Sequence, residues 1–321
     1  MRILKKNIIK ILVSIVTSIA LMLNVSPILN AANKDNDNSQ EILMEGSVYW
    51  SAEDKVAFAT EMTLRYYDEL ANGNIKTADI EEIDRLVQKC IISHGEEKQK
   101  IRSQLEEYGV YFMEPTAYAS TTAVPGVNPD NGDVTIEAPE LYMMPSTNVY
   151  FVGTGGHWNN NNWNTGATNF TNNIGGYDAF GVIYSQISGE YKSSVTRASA
   201  TLYNETGEAV STTSSRSDGD GEFGFGFQMQ DYKIPLISPV IPSALDSYVG
   251  YEWSGTLHYD NAFLSRDLVA TSYYIHTYDK AYISDISFGV SGEDREFSAN
   301  IQYRQYSFIA YSTDSKFGVG W

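Results

Sequence analysis

The spacing of hydrophobic positions changes twice along this chain, from one continuous apolar run to a helical period and then to strict alternation. Ile11 to Leu23 form the continuous run behind a basic start of Arg2, Lys5, Lys6 and Lys10; Pro27 breaks it, and Ala31 and Ala32 follow. That order predicts a secretory signal peptide over residues 1–32. An uncleaved anchor is the rival reading, since residues 11–32 carry no charge and are long enough to span a bilayer. Ser14, Thr17, Ser18, Asn24 and Pro27 shorten the strongly apolar part and favour cleavage. Residues 33–46 are polar and aperiodic, which predicts a flexible tail.

The helical period occupies residues 47–113. Ser51 with Asp54 predicts a capped start before an apolar run, and Asn72-Gly73 closes that helix. Thr77 can cap a second helix, in which Ile80, Ile83, Val87, Cys90 and Ile91 share one face before His94-Gly95 ends it. A third helix is expected from about Glu96 to Tyr108, stopping at Gly109. Three short amphipathic helices make a small bundle that would be marginal alone and needs something to pack against.

Residues 114–140 hold Pro115, Pro125, Pro129 and Pro139 and predict a Pro-rich linker. From 141 to 321 the period is two. Phe223, Phe225, Phe227 and Met229 form one alternating row, and Phe297, Ala299, Ile301 and Tyr303 another. Tyr251, Trp253, Leu257 and Tyr259 form a third, and Ile286, Phe288 and Val290 a fourth. One-sided alternation between Gly, Asn and Asp turns predicts antiparallel sheets that each bury a face. The expected fold is α+β, with a small N-terminal helical bundle followed by an antiparallel β-sandwich.

Charge narrows the partners. The net charge is −18, and the leader contributes only basic residues, so the remainder is more acidic still. Such a surface argues against nucleic acid and anionic membranes, whose phosphates need Lys and Arg. It suits cations, basic partners or uncharged glycans. Membrane contact is expected only through the signal peptide. Cys90 is the one cysteine, so no intramolecular disulfide can form.

Two segments carry candidate chemistry. In Gly153 to Asn164, GTGGHWNNNNWN, Trp158 and Trp163 flank four asparagines beside His157. Aromatic faces stack on sugar rings and asparagine amides serve hydroxyls. Trp158, Trp163, Asn160, Asn161 and His157 are therefore a candidate glycan contact; the alternative is a turn whose tryptophans fold back onto the core. In Ser217 to Glu222, Asp218, Asp220 and Glu222 alternate in a Gly-rich turn and could converge on calcium. The twelve-residue calcium-loop pattern fails there, with Phe223 at its sixth position and Met229 at its twelfth, and a plain acidic hairpin turn competes. Asp130, Asn131 and Asp133 form a weaker version.

Hydrolytic motifs are missing: no H-E-x-x-H, no G-x-S-x-G, no P-loop. The histidines at 94, 157, 258 and 276 show no ligand spacing, although His258 and His276 fall on strands. Cys90 and His94 are neighbours on a helix, but Cys90 belongs to the apolar face and reads as structural. The terminal Phe317, Val319, Trp321 alternation resembles the last strand of a transmembrane barrel.

Several segments resemble a family of secreted Gram-positive proteins with no assigned activity: GGYDAFGVIY (Gly175 to Tyr184), SDGDGEFGFGFQMQDY (Ser217 to Tyr232), ATSYYIHTYDKAYISDISFGVSG (Ala270 to Gly292), LEEYGVYF (Leu105 to Phe112) and the GGHWNNNNW loop. The resemblance implies export and a helical-then-β layout and supplies no catalytic residues. Ala200 to Phe227 also resembles one hairpin of prealbumin-like adhesin modules. The expected function is a secreted, extracellular, non-catalytic recognition or surface/matrix protein, with a cell-wall or matrix glycan or another surface protein as partner. Alternatives are a secreted glycan hydrolase, whose two carboxylates need no local motif, and a membrane-inserting β-toxin. The helical unit could also be a pro-region released at the linker.

Overall fold

In the computed structural model the described residues are 47–115, 117–118, 133–164, 173–188, 193–216, 219–234, 247–278, 280–291, 294–304 and 307–312. The expected signal peptide and tail, most of the Pro-rich linker, Asp130, Asn131, Asp218 and the terminal 317–321 pattern lie outside them.

Three helices form where the period predicts them. The first, α1 (Ala52–Asn72), starts at Ser51, whose side chain accepts the Asp54 amide. It closes at Gly73 in the left-handed region (φ 78°), where the amide reaches Glu69 and Leu70 carbonyls. The second, α2 (Ile80–Ile92), is capped by Asp79, which accepts the Glu82 amide at 2.8 Å. Thr77 lies too far ahead of the first turn to do this. The third, α3 (Gly95–Glu107), follows directly after His94.

All strand pairs are antiparallel. The first sheet runs β11 (Ser247–Val249), β10 (Gly224–Ile234), β7 (Asn173–Ser188), β13 (Asp267–Thr277), β1 (Val48–Trp50) and β3 (Ala117–Tyr118), with β16 (Ser307–Tyr311) also on β13. The second runs β2 (Tyr111–Met113), β5 (Glu140–Met144), β6 (Val149–Trp158), β12 (Glu252–Tyr259), β8 (Val195–Tyr203) and β9 (Ala209–Thr213), with β4 (Val134–Ile136) on β6. A separate hairpin joins β14 (Tyr282–Ser291) to β15 (Asp294–Gln302). The stretch read as helical thus begins and ends in strands, since Val48 pairs with Ala270 and Tyr111 with Met143.

Alternation sorts side chains into three apolar layers. Phe180, Val182, Phe225, Phe227 and Tyr274 of the first sheet share one core with Leu141, Val152, Trp253, Leu257 and Tyr259 of the second. On the other face of the second sheet, Tyr142, Phe151 and Tyr203 meet Ile83, Val87, Ile91 and Leu105 of the helices. On the other face of the first, Ala179, Ile183, Tyr273 and Ile275 lie under Ile286, Phe297 and Ile301 of the hairpin. Each fully buried aliphatic side chain contributes about 1.5–3 kcal/mol, so packing onto the sheet, more than helix propensity, holds a helix as short as α2. The molecule is an α+β protein built on antiparallel sheets. Tyr303 leaves its expected row: it lies beyond β15 at φ 55°, half exposed.

Candidate functional site

Strand β6 decides where the tryptophan loop goes. Alternation turns Trp158 inward and His157 outward, and Trp158 is fully buried, its ring edge to face with His276 at 4.9 Å between centroids. Trp163 is 5 % exposed and stacks on Tyr248 at 4.0 Å. Both rings are core, and neither offers a face for a sugar. The asparagines turn to Asp133: its Oδ1 accepts Asn160 Nδ2 at 2.6 Å and Asn162 Nδ2 at 2.9 Å, and its carbonyl accepts the Asn159 amide. Asn160 is partly buried, and Asn161 is exposed.

The acidic turn is tied down from below. Asp220 is exposed and its Oδ1 accepts the Glu222 amide at 2.8 Å. The fully buried Arg266 guanidinium donates to the Glu222 carbonyl at 2.8 Å, and Tyr259 Oη donates to the Gly221 carbonyl. Glycines in the left-handed region at 219 and 221 make the bend possible. Asp220 and Glu222 are therefore parts of a turn whose backbone is anchored to the core.

His258 and His276 do not meet. His258 faces α2, with Nε2 2.6 Å from Asp84 Oδ1. His276 lies between the sheets with Nδ1 2.7 Å from Asp178 Oδ2, which also accepts the Tyr274 hydroxyl at 2.6 Å. Asp231 stands 3.9 Å from the same imidazole and accepts Tyr248 Oη at 2.8 Å. Burial first, then the Asp178 charge, pushes the Asp231 carboxyl well above the usual carboxylate range, which favours its protonated form. All three acids and bases of this group are sealed in the core.

Cys90 is fully buried, and burial, followed by the Glu140 charge, raises its thiol. Its expected neighbour His94 points elsewhere, to Glu137. A buried thiol held protonated is a packing residue.

Two further surface features of the described residues bear on function. Where edge strand β9 lies beside β10 and β7, an open groove of about 540 Å³ is lined by Tyr177, Tyr232, Asn173, Gln228, Thr212 and Thr213, among others. Tyr177 is 54 % exposed, and Tyr232 is partly buried. Register places Tyr177 opposite Gln230, and Tyr232 opposite Asn173. Gln230 Nε2 donates inward, to the Gly176 and Asp231 carbonyls at 2.9 Å each.

The second feature brings together residues that sequence reading left apart. His94, the residue capping α3, faces Glu137 just past β4 and His157 on β6. His94 Nε2 is 3.5 Å from Glu137 Oε1, and the two imidazoles stand edge to face at 5.7 Å. Burial, then His94, lowers the His157 pKa; burial raises that of Glu137 against the pull of His94 and Lys98.

Fold and surface define the class: an α+β protein on antiparallel sheets that buries the Asp178–Asp231–His276 group in its core and carries, among the described residues, a polar groove and a histidine–carboxylate cluster at its surface. In comparisons with known proteins, no family profile and no curated protein matches the chain. Among the described residues no helix is long and apolar enough to cross a membrane.

Proposed function

We propose that the chain is a secreted, non-catalytic recognition protein that takes a cell-wall or matrix glycan along the Tyr177–Tyr232 groove. The two facing sheets are read as a β-sandwich, with the helices as a small unit laid over it. Export rests on the leader pattern and on the resemblance to secreted Gram-positive proteins. The groove carries the reading, because tyrosine faces beside amide and hydroxyl groups are what sugar rings require. This moves the stacking role from the buried tryptophans to Tyr177 and Tyr232. Among the described residues lining the groove none is a carboxylate.

A pull-down of mature protein on insoluble cell walls and polysaccharides, with calcium and with chelator, tests the reading. Tyr177→Ala should cost about 1 kcal/mol of stacking, roughly a fivefold weaker affinity. Binding unaffected in Tyr177→Ala and Tyr232→Ala would remove the groove from the reading. No binding to any polysaccharide would remove the glycan. Loss of binding in chelator would return Asp220 and Glu222 to the calcium question.

A further inference from the structure

We propose that His94, Glu137 and His157 form a binding site for a divalent transition-metal ion of the zinc class, open to solvent on one side. Their ligand atoms all lie within 4.8 Å of one another. Ligands about 2.0–2.2 Å from a tetrahedral zinc stand roughly 3.4 Å apart, so small side-chain rotations close the set. The His94–Glu137 separation of 3.5 Å already matches that spacing.

The fold builds this convergence. Thr135 is opposite His157 and the Glu137 amide donates to Gly155, so Glu137 is the diagonal neighbour of His157 on the same face. His94 arrives from above. It can do so because β6 carries glycine under the helix: a Cβ at Gly155 would stand 2.8 Å from Ile92 Cγ2 and 3.0 Å from Ile91 Cγ2. Bare backbone lets the end of α2 sit down on the sheet, which lowers His94 to the level of His157.

Three observations point to a ligand. First, His94 occupies the helix-capping position but makes no side-chain capping bond, and its imidazole turns instead to Glu137 and His157. Second, Glu137 Oε1 is buried and makes no hydrogen bond, and the nearby Lys98 ammonium is held by Glu140 at 2.7 Å. A buried carboxyl oxygen without a hydrogen bond is disfavoured unless a proton or a cation reaches it, and its nearest basic group is the His94 imidazole at 3.5 Å. Third, Glu252 lies directly opposite His157 across the β6–β12 pair, with Oε2 also buried and without a hydrogen bond, 4.0 Å from Lys89. It adds negative charge beside the site and a carboxylate that could orient a ligand from outside the first shell.

Donor chemistry selects the metal class. Two imidazole nitrogens and one carboxylate suit zinc, cobalt, nickel or copper, whereas calcium and magnesium take oxygen sets. The His94 side chain is 60 % exposed, so an ion can reach the site from solution without opening the fold.

The experiment uses full mature protein stripped with chelator, titrated with zinc by calorimetry and with cobalt by visible absorption. One ion per chain is expected, with cobalt bands of a low-coordinate histidine site. His94→Ala/His157→Ala should weaken zinc by more than the roughly 10–100-fold typical of outer-shell changes, and Glu137→Gln should weaken it and shift the cobalt bands. Circular dichroism and urea midpoints establish that each variant is folded. Because His94 is largely exposed, His94→Ala alone should stay folded and still lose affinity. Unchanged zinc affinity in His94→Ala, or wild-type protein without histidine-ligated cobalt bands, would overturn the proposal.

Discussion

Asp84 on α2 and His258 on β12 form a carboxylate–imidazole contact of 2.6 Å in which both side chains are at most 3 % exposed. The other Asp84 oxygen accepts Arg197 Nε at 2.7 Å. One turn along, Gln88 accepts the Thr201 hydroxyl at 2.6 Å and donates to Ser199. The helix is thus locked to the sheet in one register by polar pairs that apolar packing alone does not specify.

Removing one partner of a buried pair strands the other. Asp84→Ala should cost about 3–5 kcal/mol in urea unfolding, because His258 and Arg197 lose their acceptor together. Asp84→Asn should cost less, since its amide oxygen can still accept one bond. Equal losses for the two variants would show that the charge, and not the acceptor, carries the effect.

Asp231 predicts a pH slope. Its native carboxyl keeps a proton that the unfolded chain releases near pH 4. Above that pH the native state binds more protons, so this group's contribution to stability falls as pH rises towards the raised native value. Asp178, His276, Tyr248 and Tyr274 surround it in wild type and variant alike. Asp231→Asn should therefore gain on wild type as pH rises above about 4. A stability difference independent of pH, read from urea midpoints, would contradict this.

Lys55 has the opposite slope. Buried against Phe263, it donates to the Phe263 and Arg266 carbonyls at 2.8 and 2.7 Å. Burial first and the Arg266 charge second lower its pKa to about 7, against the pull of Asp267. The unfolded chain holds this proton up to about pH 10.4, so over pH 7–10 the native state binds fewer protons and the contribution rises with pH. Wild type should gain on Lys55→Met between pH 7 and 9, measured by thermal or urea unfolding. A difference that shrinks over that range would reverse the assignment.

Gly155 should be intolerant of any side chain. A Cβ there would stand 2.8 Å from the Trp253 carbonyl oxygen as well as against Ile91 and Ile92. Gly155→Ala should destabilise by about 1–3 kcal/mol through overpacking. Because the helix must lift, zinc affinity at His94 should fall with it. Calorimetry on the folded fraction separates the two effects.

Much of the local architecture was legible. Ser51 and Gly73 mark the ends of α1 because capping depends only on residues a few positions away. Phe225, Phe227 and Met229 read as one buried row because a strand's side chains repeat every two residues. Cys90 read as buried from the face it shares with Val87 and Ile91.

What tertiary structure alone decided is which face of each sheet meets what. Alternation places His157 and Trp158 on opposite sides of β6, but it does not say that the tryptophan side is the shared core while the other side lies under the helices and leaves His157 partly exposed at its end. Both sheets here are covered on both faces, one by helices and one by a hairpin, so exposure depends on what lies over a strand as well as on its own pattern. The sequence determined the elements and the acidic charge balance through near-neighbour chemistry and composition. The meeting of His94 with His157, and of Asp84 with His258, came from the docking of α2 on glycine-lined β6, a long-range contact that no local spacing encodes.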